Sequence, residues 1–366
     1  MSRTALADLL GVEHPIIQAP MAGSTTPELV AAVSNAGALG SIGAAYLTPE
    51  RIRDEVAAVR RLTDRPFGIN LFVASPGSEL RGSLDAGPML SFLKPHHDAL
   101  SLAAPEVPER FAPFSEAQWA AVLAERVPVF SFTFGAPSAD VVAEFQATGT
   151  RVLGSATTVA EARQLAALGV DGIVAQGSEA GAHRATFAGS FERSLIGTIA
   201  LVPQVIDAVD GLPVVASGGI MDGRGIVAAE ALGAAGAQLG TAFLTTLESA
   251  ASATYVEALL AARDDDTVVT RVFSGRQARG LLNAFIEEMS APEAPEALPF
   301  PIQNALTTPM RRAAALGGDA QRQALWAGQG VPMARRSGAA ELVARLVRER
   351  AEVRAALLEA EVADRL

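Results

Sequence analysis

Short, unbroken apolar runs alternate along this chain with stretches whose apolar residues recur every three or four positions, the signature of strands punctuated by amphipathic helices. In order, the runs are PIIQAP from Pro15, LGSIG from Leu39, FGINLFV from Phe67, PVFSFTF from Pro128, RVLGSA from Arg151, GIVAQG from Gly172, PVVASGG from Pro213 and AQLGTAF from Ala237. As a set they lack the alternation of apolar with polar residues, as expected of strands covered on both faces in a parallel sheet. Between them, Thr26-Pro27-Glu28 and Thr48-Pro49-Glu50 each place a capping threonine before a proline at the first helical position. Gly37, Gly149, Gly169 and Gly211 fall where helical patterns end. The alternation predicts an α/β fold: a (β/α)8 TIM barrel with an additional, mainly helical C-terminal cap. An open doubly wound sheet gives similar local signals.

Two segments break the rhythm. Residues from about 75 to 126 are too long for a plain β-α connection and read as a lid-like insertion, with a helical pattern around Trp119. From residue 248 the pattern is helical, crosses APEAPEALPFP, and ends in the amphipathic run AAELVARLVRERAEVRAALLEAEVADRL. The expected division is a barrel over 1–247 and a helical cap over 248–366, packed on the barrel.

Composition narrows the chemistry. The 366 residues are 49% hydrophobic, enough for a large core, and the net charge of −11 disfavours nucleic acid and anionic membranes as partners. The chain has no cysteine, hence no disulfide framework and no thiolate nucleophile. No apolar stretch reaches the roughly 18 residues of a membrane span, and the first residues carry Asp8 and Glu13 without an apolar leader core, so the cytoplasm is the expected compartment. Lys94 is the only lysine; beside Pro95 it reads as a solvated loop residue, and the adjacent His96 and His97 as surface histidines. The sequence leaves monomer and homodimer open.

Barrel enzymes keep their chemistry at the C-terminal ends of the strands. Here those ends offer Gln18 and Met21, Asn70, Gln176 with Glu179, His183 and Arg184, Ser217 to Gly219, and Gln238 to Thr241. The acids and imidazoles of a metal hydrolase are missing. Amides and backbone N–H groups suit a neutral heteroaromatic ring, so an organic cofactor is expected to carry the reaction on a small-molecule substrate. SGGI before Asp222, and QLGT one β-α unit later, lie where barrels bind phosphate. His183, among the small residues of AQGSEAGAHR, is the expected base or anion-holding group. Glu179 and Arg184 read as local pairing or surface charge.

HPIIQAPMAG, AGALGSIGAA, FGINLF, AQGSEAGAHR, SGGIMDGRG, AQLGTAFL and LWAGQG, in that order between about residues 14 and 330, resemble the motifs of the nitronate monooxygenases, formerly called 2-nitropropane dioxygenases. The resemblance implies an FMN-dependent barrel that oxidises alkyl nitronates, such as propionate 3-nitronate, with O2, after one-electron transfer to the flavin. It places the cofactor on Asn70, Gln176, Gly181, Gly219 and the stretch Gln238, Leu239, Gly240, Thr241, and catalysis on His183. Gln18, Met21, Ser217 and Gly218 complete the candidate flavin contacts. The family pattern has glycines around the His-Arg pair, where this chain has Ala182 and Ala185, which bears on pocket size and on φ. The related FMN-dependent enoyl-acyl-carrier-protein and NAD(P)H:quinone reductases share the barrel and a similar histidine motif. A non-catalytic flavin-binding scaffold is the further alternative. The lack of cysteine excludes an inosine-monophosphate-dehydrogenase-like reaction.

Overall fold

A computed structural model describes residues 4–73, 84–108 and 116–363. A short helix, α1 (Ala5–Leu10), precedes eight parallel strands: β1 (Ile16–Gln18), β2 (Gly40–Gly43), β3 (Phe67–Phe72), β4 (Val129–Thr133), β5 (Arg151–Ala156), β6 (Gly172–Gln176), and, after the two-residue strand β7 (Ala182–His183), β8 (Val214–Ser217) and β9 (Gly236–Leu239). They pair in the order β1-β9-β8-β6-β5-β4-β3-β2, and a parallel bridge from Ile17 to Leu39 joins the two ends. The strands therefore close into the (β/α)8 barrel that the apolar runs predict. Register aligns the future site: Asn70 lies opposite Ser131, and Gln176 opposite Ser217, which in turn faces Gln238.

The helices α2 (Pro27–Asn35), α3 (Pro49–Leu62), α4 (Gly87–Ala99), α5 (Glu116–Glu125), α6 (Ala139–Ala147), α7 (Val159–Ala167), α8 (Thr198–Ala208) and α9 (Gly223–Ala231) follow in chain order. Their ends obey the local chemistry. Thr26 Oγ1 accepts from Leu29 N at 3.0 Å and Thr48 Oγ1 from Arg51 N at 3.3 Å, satisfying amides that a helix start leaves orphaned. Gly37, Gly149, Gly169 and Gly211 take φ of 83°, 87°, 79° and 82°, the left-handed turn that ends a helix.

The insertion separates into two parts. Helix α5 packs on α3 and β3 as an ordinary barrel helix, with Trp119 edge-on to Phe130 at 5.1 Å. Helix α4 instead sends Met89 and Leu93 into the cap's own core with Phe273, Phe285 and Met310. The rest of the lid-like reading, residues 74–83 and 109–115, lies outside the described residues. Lys94 is exposed on α4, paired with Asp98 at 2.5 Å, rather than in a loop. His96 and His97 correct the surface reading: both are buried, because α4 turns their face toward the cap, where His96 meets Glu288 at 3.2 Å and His97 Nδ1 meets Ala103 O at 2.7 Å.

After α10 (Thr241–Leu244) the chain builds the cap from α11 (Ala253–Ala261), β10 (Thr267–Thr270), β11 (Ala278–Leu281), α12 (Ala284–Met289) and α13 (Ile302–Gly317). Strands β10, β11 and β7 form a three-stranded antiparallel sheet, with Ala278 opposite His183 and Arg279 opposite Ala182. The cap is thus mainly helical with a small sheet, and the loop after β6 is tied into it. The last helix, α14 (Ala339–Ala363), returns to the barrel and packs between α9 and α2, so the described part of the expected cap, residues 248–363, occupies two places. Leu342, Val343 and Leu346 join the barrel core, and a Cβ on Gly223 would sit 2.3 Å from Arg350 N, so only glycine admits this approach. Among the described residues, no helix is long and apolar enough to cross a membrane.

Candidate active site

The C-terminal rim of the barrel carries every residue singled out from the strand ends, and the loop from Gly177 to His183 knits them together. Gln176 Nε2 donates to His183 O at 3.0 Å and its Oε1 accepts from Ala185 N at 2.9 Å, so this amide fixes the histidine segment. A Cβ on Gly181 would lie 2.5 Å from Gly328 N and 2.6 Å from Ala327 C; a glycine there lets the LWAGQG segment cross the barrel mouth. Gly328 N in turn donates to Thr241 Oγ1 at 3.0 Å, and Gln329 N to Glu179 O at 2.9 Å. Ala182 has φ of 60°, a left-handed conformation that a glycine would reach without a Cβ penalty.

The remaining candidates divide by what their polar groups already do. Gln18 is fully buried and spent on the protein: its Oε1 accepts from Ser41 N at 2.9 Å, and its Nε2 donates to Ala19 O and to Thr25 Oγ1. Met21 packs between two core clusters, close to Gly240. The Leu239 side chain is core, and only its backbone reaches the rim. Asn70 Nδ2 donates to Ser131 Oγ at 2.9 Å, and its Oδ1 has no donor among the described residues. Gln238 Nε2 makes a single long contact, 3.4 Å, with Ser217 Oγ. Gly218 and Gly219 have φ of 120° and 71°, and neither N–H has an acceptor among the described residues. The Asp222 carboxylate already caps α9, accepting from Arg224 N at 3.0 Å, so the Gly218–Gly219 amides, not that helix start, are open to an anion.

His183 stands in an aromatic cage, with ring centroids of Phe72, Phe134, Phe300 and Trp326 at 6.5, 5.6, 6.0 and 5.6 Å. Phe134 holds an unusual φ of 77° for a bulky side chain, clamped between Phe72 at 4.2 Å and the Arg276 guanidinium, 3.9 Å above its ring. His183 Nε2 meets Ser274 Oγ at 2.8 Å. Ser274 also lies 3.0 Å from Arg276 O and accepts from Arg276 N at 3.3 Å. With its one proton given to the carbonyl, Ser274 accepts from Nε2–H, which leaves the Nδ1 lone pair of His183 free among the described residues. Burial first, then Arg276 and Arg311, push the His183 pKa down to about 3, so the ring is neutral at pH 7.

Arg311 and Tyr46 complete the cavity. Arg311 binds only neutral groups of its own helix, Asn304 Oδ1 at 2.8 Å, Thr308 Oγ1 at 2.8 Å and Thr307 Oγ1 at 3.1 Å. Thr307 Oγ1 donates to Phe273 O at 2.5 Å, next to the Ser274 that holds His183. No carboxylate of the described residues pairs with Arg311, and burial lowers its pKa to about 10. The Tyr46 hydroxyl is buried without a hydrogen-bond partner among the described residues, and its pKa is pushed up to about 12 by burial. His183 and Arg311 lie deep in the molecule yet keep accessible surface, so both line an internal space.

Sequence reasoning missed Tyr46, Phe134, Ser274, Arg276 and Arg311. Arg311 sits in an Arg-Arg pair that reads as a solvated helix face, and Ser274 and Arg276 come from a loop far along the chain with no periodic signal. Glu179 and Arg184 are structural: Glu179 accepts from Thr198 N at 2.8 Å, and buried Arg184 donates to Gln176 O at 2.5 Å. 

The fold and site define a (β/α)8-barrel protein with a neutral, amide-rich rim and a histidine-centred cavity. A profile described as nitronate monooxygenase matches residues 3–349. A probable nitronate monooxygenase of Staphylococcus aureus strain Newman is 45% identical over 329 residues, covering 90% of this chain and 92% of that protein; that of strain MSSA476 is 44% identical over 349 residues, covering 95% and 97%. Among solved structures, nitroalkane oxidase from Streptomyces ansochromogenes superposes with a TM-score of 0.88 at 43% identity, covering 97% of this chain and all of that one. FabK from Thermotoga maritima gives 0.77 at 30% identity, covering 98% and 99%. The chain belongs to the nitronate monooxygenase family.

Proposed function

We propose that this chain binds FMN and oxidises alkyl nitronates with O2, yielding a carbonyl compound and nitrite or nitrate. The observation that carries the reading is the neutral imidazole of His183 in its aromatic cage, with the Arg276 and Arg311 guanidinium groups in electrostatic range and the buried Tyr46 hydroxyl in range of Arg311. Family membership supports the chemistry. The donor set fits a flavin: the amides of Asn70, Gln176 and Gln238 for a ring with alternating donors and acceptors, and the free Gly218 and Gly219 N–H groups for a phosphate. Gly181, Gly240 and Thr241 would border it where the LWAGQG segment crosses, with Met21 beside Gly240, Ser217 beneath Gln238, and Gln18 and Leu239 bracing the strand ends. When bound, the flavin supplies the electron acceptor that the side chains lack.

The protein residues hold and select the substrate. Arg311, Arg276 and Tyr46 favour an anion in the cavity, since a buried cation gains most from a partner in a low dielectric. The same two cations oppose protonation of His183. A nitronate arriving as an anion satisfies them directly. A neutral nitroalkane must first give a carbon proton to a ring whose charged form they destabilise, so His183 is a weak carbon base that chiefly shapes the cavity, and preformed nitronates are the better substrates. The test is to load the purified protein with FMN and mix it anaerobically with propionate 3-nitronate, NADH or NADPH. Loss of visible flavin absorbance with the nitronate alone is expected; rapid bleaching by either nicotinamide would make the chain a reductase.

A further inference from the structure

A second cationic cavity lies outside the catalytic one. It opens to solvent, encloses about 310 Å³, and is lined by Arg184, Arg271 and Arg276 with no carboxylate among its lining residues. None of the cofactor candidates lines it, nor does His183; Arg276 and Phe134 form the partition between the two spaces. The three guanidinium groups are held largely by carbonyl oxygens: Arg184 by Gln176 O and Ser194 O, Arg276 by Arg184 O and Thr186 O, and Arg271 by Ala297 O at 2.8 Å. Carbonyls orient a guanidinium without neutralising it. Arg271 also reaches Glu296, at 3.4 Å, but that carboxylate is exposed and the contact long; the Arg271 Nε is buried with no hydrogen-bond partner among the described residues. Among the described residues, the only carboxylate in electrostatic range of both Arg184 and Arg276 is Glu161, buried behind the wall and committed to Phe187 N, Ala188 N and Thr157. Gly275, with φ of 83°, fixes the floor: a Cβ there would lie 2.2 Å from Leu298 O.

We infer that this cavity is a binding site, separate from the catalytic cavity, for a small molecule carrying a phosphate or carboxylate group. Planar guanidinium forks on several sides match the paired oxygens of such groups, and the volume sits at the lower end of the range for small-ligand pockets, about 300 to 1,000 Å³.

The test uses the FMN-loaded protein, so that the cofactor's own phosphate site is filled, with titration calorimetry at constant ionic strength. Inorganic pyrophosphate and citrate serve as probes for the two sources of the oxyanion. Saturable binding of either probe, weakened about tenfold or more in Arg271→Gln with nitronate turnover unchanged, is the expected result, the tighter probe naming the source. Arg271→Lys, which keeps the charge but loses the fork, should fall between the two. Binding that is unsaturable, that is equal in wild type and Arg271→Gln, or that competes with nitronate in both, would overturn the inference.

Discussion

Replacing Arg311 by methionine should lower substrate affinity while leaving stability nearly unchanged. The guanidinium is enclosed with only neutral partners, and lowering its pKa from 12.5 to about 10 corresponds to roughly 3 kcal/mol of unfavourable charging at neutral pH. Methionine fills much of the same volume without the charge, but gives up the hydrogen bonds to Asn304, Thr307 and Thr308, about 1 kcal/mol each. The two terms nearly cancel, so the folded protein should be unchanged to within about 1 kcal/mol in urea titrations followed by tryptophan fluorescence. If Arg311 receives the anion, losing a charge-assisted bond of about 1.5–3 kcal/mol should lower kcat/KM for nitronates roughly ten- to a hundredfold. Arg311→Lys should recover part of it. A methionine variant that is less stable by more than about 1 kcal/mol yet retains kcat/KM would refute the reasoning. It would make Arg311 a strut of α13.

Two further outcomes follow from the same geometry. His183 has a folded pKa of about 3 against an ordinary 6.5, so the unfolded chain takes up the proton first as pH falls. This group is without effect above pH 6.5 and withdraws stability progressively between 6.5 and about 3; comparing wild type with His183→Asn by thermal unfolding across that window should show a shallower decline in the variant. At Ala182, whose φ is 60°, glycine relieves a left-handed alanine; Ala182→Gly should raise stability by about 0.5–1 kcal/mol in the same urea assay, and a loss of stability would contradict the strain assigned there.

Much of the barrel is legible because its signals are local. Each strand is an apolar run covered on both faces, and threonine-proline starts and glycine stops mark the helices between them. The rim proposed for the flavin is legible for a related reason: Asn70, Gln176 and Gln238 lie on strands whose ends define the barrel mouth. What escapes the sequence is non-local. Strand β7 has two residues and exists only through pairing with β11, almost a hundred residues later, so AQGSEAGAHR reads as a plain loop. His96 and His97 look polar and solvated until α4 is seen to face the cap. The polar surroundings of His183 are assembled from Tyr46, Arg276 and Arg311, three distant segments with no shared pattern. The terminal helix, amphipathic like any cap helix, fills the gap between α9 and α2.

The most direct measurement compares one compound in two ionisation states: initial oxygen consumption by the FMN-loaded protein with a nitroalkane supplied neutral, and with the same compound supplied as its preformed nitronate. The account predicts a far higher kcat/KM for the nitronate, retained in large part by His183→Asn, while the slow turnover of the neutral form falls further in that variant. Equal turnover of both forms, collapsing together when His183 is replaced, would contradict it and make His183 an efficient carbon base.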